Sequence, residues 1–148
     1  MQTRASETVT EIGSCAFQNN KKLTAIEIPA NVKKIGGYAF MGCDALAKVT
    51  LSEGLETLGY YAFQSTPVTE IFIPSSLKET DEPFNGCKSL SKVTFGKGIT
   101  KIPDNLFENC SGLTTVTIPE TVTEIGSCAF QNNKKLTAIE IPANVKKN

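Results

Sequence analysis

The chain has 148 residues, 40% of them hydrophobic, with Lys+Arg and Asp+Glu both at 15. That is enough apolar material for one domain to bury a continuous core without disulfides, with no charge excess to draw it onto nucleic acid or an anionic membrane. No apolar run approaches the roughly 20 residues a bilayer span needs, no signal-peptide pattern follows Met1, and histidine, the commonest general base, is absent.

Residues 1–6 read as a leader, and 7–148 as a single solenoid domain. The first predicted unit runs from a short extended stretch, Val9-x-x-Ile12-Gly13, through Ala16-Phe17 and Asn20 to Leu23-x-x-Ile26-x-Ile28 and Pro29. The same frame then recurs: Phe17, Phe40, Phe63, Phe84, Phe107 and Phe130 fall at steps of 23, 23, 21, 23 and 23 residues. A fixed period of this size marks a stacked repeat architecture. The strand-like set keeps its spacing in every unit: Leu23/Ile26/Ile28, Leu46/Val49/Leu51, Val68/Ile71/Ile73, Leu90/Val93/Phe95, Leu113/Val116/Ile118 and Leu136/Ile139/Ile141. The one short step comes from a residue lost after Phe63 and another lost before Phe84, both in connecting segments, where stacked coils tolerate deletion. Alternation turns two side chains of each set inward and one outward, so the units are predicted to pair side by side into a parallel sheet. Pro29, Pro74, Pro119 and Pro142 end the strands because proline cannot donate to the ladder. Gly13, Gly36, Gly59 and Gly126 are expected to supply backbone freedom at the second bend.

These residues resemble the BspA-like, or Treponema-type, leucine-rich repeats, whose pattern is close to Leu-x-x-Ile-x-Leu-Pro-x-x-Val-x-x-Ile-Gly-x-x-Ala-Phe-x-x-Cys. The likeness covers nearly the whole chain. It weakens in the fourth unit, where Thr80-Asp81 replaces Ile-Gly and Pro83 replaces Ala, and in the fifth, where Pro103 replaces Gly and Leu106 replaces Ala. The resemblance implies a leucine-rich repeat solenoid: a right-handed, β-rich coil of about six 22–23-residue repeats, with a parallel sheet on the concave face and little or no long α-helix. It also implies a protein-binding or adhesion role at the cell surface or outside the cell, and no catalytic residue.

Glu7–Lys34 and Glu120–Lys147 are identical, whereas neighbouring units share little beyond their framework positions. Recent duplication of a five-repeat block and deliberate copying both account for this. Neither end carries a recognisable polar cap, so the last coil of one molecule can dock on the first of another. Lys21, Lys22, Lys146 and Lys147 oppose such docking.

Two outward columns follow from the alternation. One holds Ala25, Lys48, Glu70, Lys92, Thr115 and Ala138; the next holds Glu27, Thr50, Phe72, Thr94, Thr117 and Glu140. Lys48, Thr50, Glu70, Phe72, Lys92, Thr94, Thr115 and Thr117 form the candidate concave binding face, with Phe72 as the one phenylalanine outside the framework. The other reading of Phe72 is a strand residue packing against the lysine stems. Asn20, Cys43, Thr66, Cys87, Cys110 and Asn133 occupy one position of the repeat, and their small polar tips suit a buried hydrogen-bonding ladder. Cys15 and Cys128 share a column with Tyr38, Tyr61, Glu82 and Asn105, so they are expected to be exposed. The five cysteines form no CxxC pair, and neither metal nor other cofactor is expected. The expected function is a non-catalytic module that binds an unidentified protein partner; the alternative is an engineered or structural scaffold that assembles with itself through its matched ends.

Overall fold

The computed structural model describes residues 2–4, 6 and 8–146. Glu7 and Lys147, the bounds of the duplicated segment, lie outside them. Thirteen short strands and no helix occur among the described residues. Strand β1 is Gln2–Arg4. Six coils follow, each beginning with a two-residue strand and closing with a longer one. The two-residue strands are β2 (Glu11–Ile12), β4 (Lys34–Ile35), β6 (Thr57–Leu58), β8 (Glu79–Thr80), β10 (Lys101–Ile102) and β12 (Glu124–Ile125). The closing strands are β3 (Ala25–Glu27), β5 (Lys48–Thr50), β7 (Glu70–Ile73), β9 (Lys92–Phe95), β11 (Thr115–Thr117) and β13 (Ala138–Glu140). Pairing is parallel throughout and joins equivalent positions of successive coils: Ile26 lies beside Val49, Phe72 beside Thr94, and Val116 beside Ile139. The molecule is therefore a parallel-strand β-solenoid of about six turns.

Residues 2–4, placed in a leader by the sequence reading, pair with Ala25–Glu27 as an additional strand of the first sheet. The pairing is set by the 23-residue period, which brings Thr3 beside Ile26.

The framework residues fill one core that runs the length of the stack. Phe40, Phe63, Phe84 and Phe107 are fully buried, and the six phenylalanines form a continuous column with ring centroids 5.1, 5.0, 5.6, 5.9 and 5.8 Å apart. Each such pair contributes about 0.5–1.5 kcal/mol beyond simple burial. Identical spacing in sequence has become a stack in space.

The framework glycines serve close approach rather than bending. Among the described residues, positive φ falls two positions before each framework phenylalanine, at Cys15, Tyr38, Tyr61, Glu82, Asn105 and Cys128, and again four residues on. Gly36, Gly59 and Gly126 instead lie against the preceding coil, where a Cβ would meet the amide nitrogen of Ser14, Gly37 or Asp104 at 2.5 Å. Coils four and five carry Asp81 and Pro103 at this position. The second sheet breaks at that place: β2-β4-β6-β8 form one ladder and β10-β12 another. At this position the amides of Gly36, Gly59 and Gly126 donate to the carbonyls of Ile12, Ile35 and Ile102 in the preceding coil, a bond that Pro103, with no N–H, cannot make.

The first sheet breaks twice, into β1-β3-β5, β7-β9 and β11-β13. The break between β5 and β7 follows the shortened connection that contains Pro67, which has no N–H to offer. At the break between β9 and β11, Phe95 stands where other coils carry Ile or Leu and packs edge-on to Phe107 at 6.4 Å.

Candidate binding face

The outward residues alternate with buried ones along β3, β5, β7 and β11, as in β5, where Val49 is buried between exposed Lys48 and Thr50. Lys48, Thr50, Glu70, Phe72, Lys92 and Thr94 converge on one open depression of about 290 Å³, with Val49 and Ile71 in its lining. It sits over the interruption between β5 and β7. Thr115 and Thr117 are exposed on β11, beyond the next interruption, and do not line it. Six of the eight candidate residues are thus brought together.

Phe72 is half-buried and lines the depression. Glu70 and Lys92 form an ion pair at 3.8 Å, both 69% exposed. Such an open pair contributes at most about 1 kcal/mol. Lys48 has no ion-pair partner among the described residues, so the depression offers an aromatic ring, one unmatched cation and hydroxyls. That set suits an acidic residue flanked by an apolar one.

The repeated small-polar position forms a ladder beneath the loops. Cys43 donates to the Phe17 carbonyl at 3.1 Å, Cys87 to Phe63 at 3.1 Å, Cys110 to Phe84 at 3.3 Å, and the Asn133 amide to Phe107 at 2.7 Å. Thr66 donates within its own coil to Phe63 at 3.0 Å and meets Cys87 Sγ at 3.5 Å. Asn20, in the first coil, accepts from the Lys22 amide instead. Burial pushes the Cys87 thiol up to about 11 and raises Cys43 and Cys110 as well, which keeps the S–H available as a donor. Cys43, Cys87, Cys110 and Asn133 thereby join successive coils; the three cysteines and Thr66 are buried, whereas Asn20 and Asn133 are half-buried. Cys15 and Cys128 are exposed.

One feature escaped the sequence reading. Tyr38, Tyr60 and Tyr61, all the tyrosines of the chain, form a cluster on the loop edge, with Tyr60 and Tyr61 stacked at 3.8 Å and Tyr38 edge-on to both. A second depression beside Tyr60 is lined by Glu79, Asp81, Asp104 and Asn105, over the break between β8 and β10. The signal was available: Tyr38 and Tyr61 occupy one repeat position in adjacent coils. Among the described residues no group of three or more His, Cys, Asp or Glu is placed to hold a metal ion, and no helix is long and apolar enough to cross a membrane.

The pattern described as the BspA type leucine rich repeat region matches residues 2–83 and 80–148 in six copies. A leucine-rich repeat protein from Bacteroides ovatus is 33% identical over 97% of this chain and 38% of its own, with a TM-score of 0.80. The leucine rich repeat protein of T. pallidum, TpLRR, is 25% identical over 99% of this chain and 72% of its own, also with a TM-score of 0.80. The pneumococcal vaccine antigen PcpA is 27% identical over 93% of this chain and 37% of its own, with a TM-score of 0.75. The chain thus spans well under half the length of the first and third of these structures. No curated protein matches.

Proposed function

Because this chain belongs to the BspA type leucine-rich repeat family, we propose that it is a non-catalytic protein-binding module whose contact surface is the depression around Phe72. The observation that carries this reading is the convergence of Phe72, unmatched Lys48 and four further outward residues on one open depression. Solenoids of stacked repeats use their extended strand faces for binding, and aromatic anchors beside desolvated charge supply most of the energy at such surfaces. The partner segment is acidic and apolar, by complementarity to Lys48 and Phe72. The setting assigned to it is adhesion at the cell surface; a pneumococcal protein of the same fold is a vaccine antigen.

The test is to pan a random-peptide library on the chain and measure the enriched peptides by fluorescence anisotropy. Peptides with an acidic residue beside an apolar one are expected. Phe72→Ala should weaken them by roughly tenfold or more, about 1.4 kcal/mol, and Lys48→Met should weaken them and reduce their salt dependence. Enriched peptides indifferent to both substitutions would end this reading.

A further inference from the structure

At the junction between coils four and five both sheets are interrupted, between β8 and β10 and between β9 and β11. Between coils five and six the amides of Asn105, Phe107 and Asn109 donate to the carbonyls of Ser127, Ala129 and Gln131 at 2.9, 2.8 and 2.9 Å. Between coils four and five the one loop-to-loop backbone bond among the described residues runs from the Gly86 amide to the Asn109 carbonyl at 3.1 Å. The Thr80 carbonyl also loses a donor. Its counterparts Ile35 and Ile102 accept from Gly59 and Gly126 at 2.8 and 2.7 Å, whereas coil five offers Pro103, which has no N–H.

The depression beside Tyr60, of about 460 Å³, spans this junction: Tyr60 comes from coil three, Glu79, Thr80 and Asp81 from coil four, and Asp104 and Asn105 from coil five. Glu79, Asp81 and Asp104 are exposed. None of the three has an ion-pair partner among the described residues, and the adjoining Lys78 and Lys101 are matched elsewhere, to Glu56 at 3.9 Å and to Glu124 at 3.3 Å. One oxygen of Asp104 accepts from the Ser127 amide at 2.9 Å, and the Asn105 side-chain amide donates to Glu108. Each keeps a further oxygen as an acceptor. Tyr60 is 37% exposed, and its ring is fixed by stacking on Tyr61 at 3.8 Å and by Tyr38 edge-on at 5.5 Å. No lysine or arginine lines the depression, and its carboxylates are not placed to hold a metal ion.

We propose that this depression is a second binding site, on the second sheet, which takes an arginine side chain from a basic segment of a partner protein and bridges coils four and five. Its lining of carboxylates, a freed carbonyl and a fixed aromatic ring asks for a ligand that is cationic, flat and rich in N–H donors. A guanidinium has five N–H donors in a planar fork, pairs with carboxylates through two bonds at once and stacks on aromatic rings. A lysine ammonium is a compact, strongly hydrated point charge and meets only the demand for charge. Glu79 and Asp81 lie on one side of the interrupted ladder and Asp104 and Asn105 on the other, so a side chain bound to both restrains a junction that the backbone holds weakly. The site is opposite in charge to the Phe72 face, whose unmatched group is Lys48, and the two surfaces therefore select segments of opposite charge.

The experiment titrates fluorescein-labelled hexa-arginine with the full chain at low ionic strength, where exposed charges are least screened, and reads anisotropy. Hexa-arginine should bind, and hexa-lysine of equal charge should bind about tenfold more weakly. Tyr60→Ala, Glu79→Gln and Asp81→Asn, all at exposed side chains, should leave circular dichroism unchanged and weaken hexa-arginine about three- to tenfold each. Glu140→Gln, which removes the same charge from the first sheet, should leave the affinity as it was. Amide hydrogen exchange over residues 99–105 should slow when hexa-arginine is bound, because the ligand ties coil five to coil four. A chain that does not bind hexa-arginine, binds hexa-lysine equally well, is indifferent to the three substitutions, or shows unchanged exchange over 99–105 would overturn the proposal.

Discussion

The buried thiols act as donors, so the fold depends on their staying protonated. Burial raises Cys87 to about 11, above the ordinary value of about 8.5. The folded state then holds that proton more tightly than the unfolded chain does. The stability this confers is complete below about pH 8.5 and is lost as pH rises toward about 11. Urea unfolding across that window should show a falling midpoint, and Cys87→Ala should flatten the fall. At neutral pH the same substitution should lower stability by about 1 kcal/mol, because the Phe63 carbonyl keeps its bond from Thr66. An aromatic disulfide reagent should label Cys15 and Cys128 rapidly in the native chain and reach Cys43, Cys87 and Cys110 only on unfolding. At this scale the sequence was informative about direction: alternation places Phe72 outward. Its half burial was not legible, since that depends on side chains from neighbouring strands.

Within an element, one residue type can have opposite consequences in identical surroundings. Gly13 and Gly126 occupy the same place in the duplicated segment. A Cβ on Gly13 would meet nothing within 4 Å, whereas one on Gly126 would meet Asp104 N at 2.5 Å. Gly13→Ala should therefore leave thermal stability unchanged or slightly raised, and Gly126→Ala should lower it by about 1–3 kcal/mol. Equal losses would refute close approach as the reason for glycine. The sequence identified the glycine column but suggested the wrong use for it, because its recurrence beside a bend resembles conformational demand. Only the distance to the preceding coil distinguishes the two. Pro103, a visible departure from the pattern, falls at the interrupted ladder, where it lacks the N–H that Gly36, Gly59 and Gly126 donate to the preceding coil.

At the scale of the whole molecule, stability in a stacked array is a sum over coils and their nearest-neighbour interfaces, so the outermost coils are held least. Amide hydrogen exchange should be slowest in coils three and four and fastest in coil 6. Ile26→Ala should cost about 3 kcal/mol and Ile139→Ala about 1 kcal/mol in denaturant unfolding, although the two sit in the same sequence. The chain by itself determined the period, the inward and outward positions of each coil, and the column of phenylalanines. These are consequences of local alternation repeated at a constant step. Only the tertiary structure decided which of two identical coils is covered, where the ladders break, and which outward residues share a depression. Burial, pairing and convergence belong to the contact between coils, and a residue's own neighbours in sequence do not specify what lies one coil away.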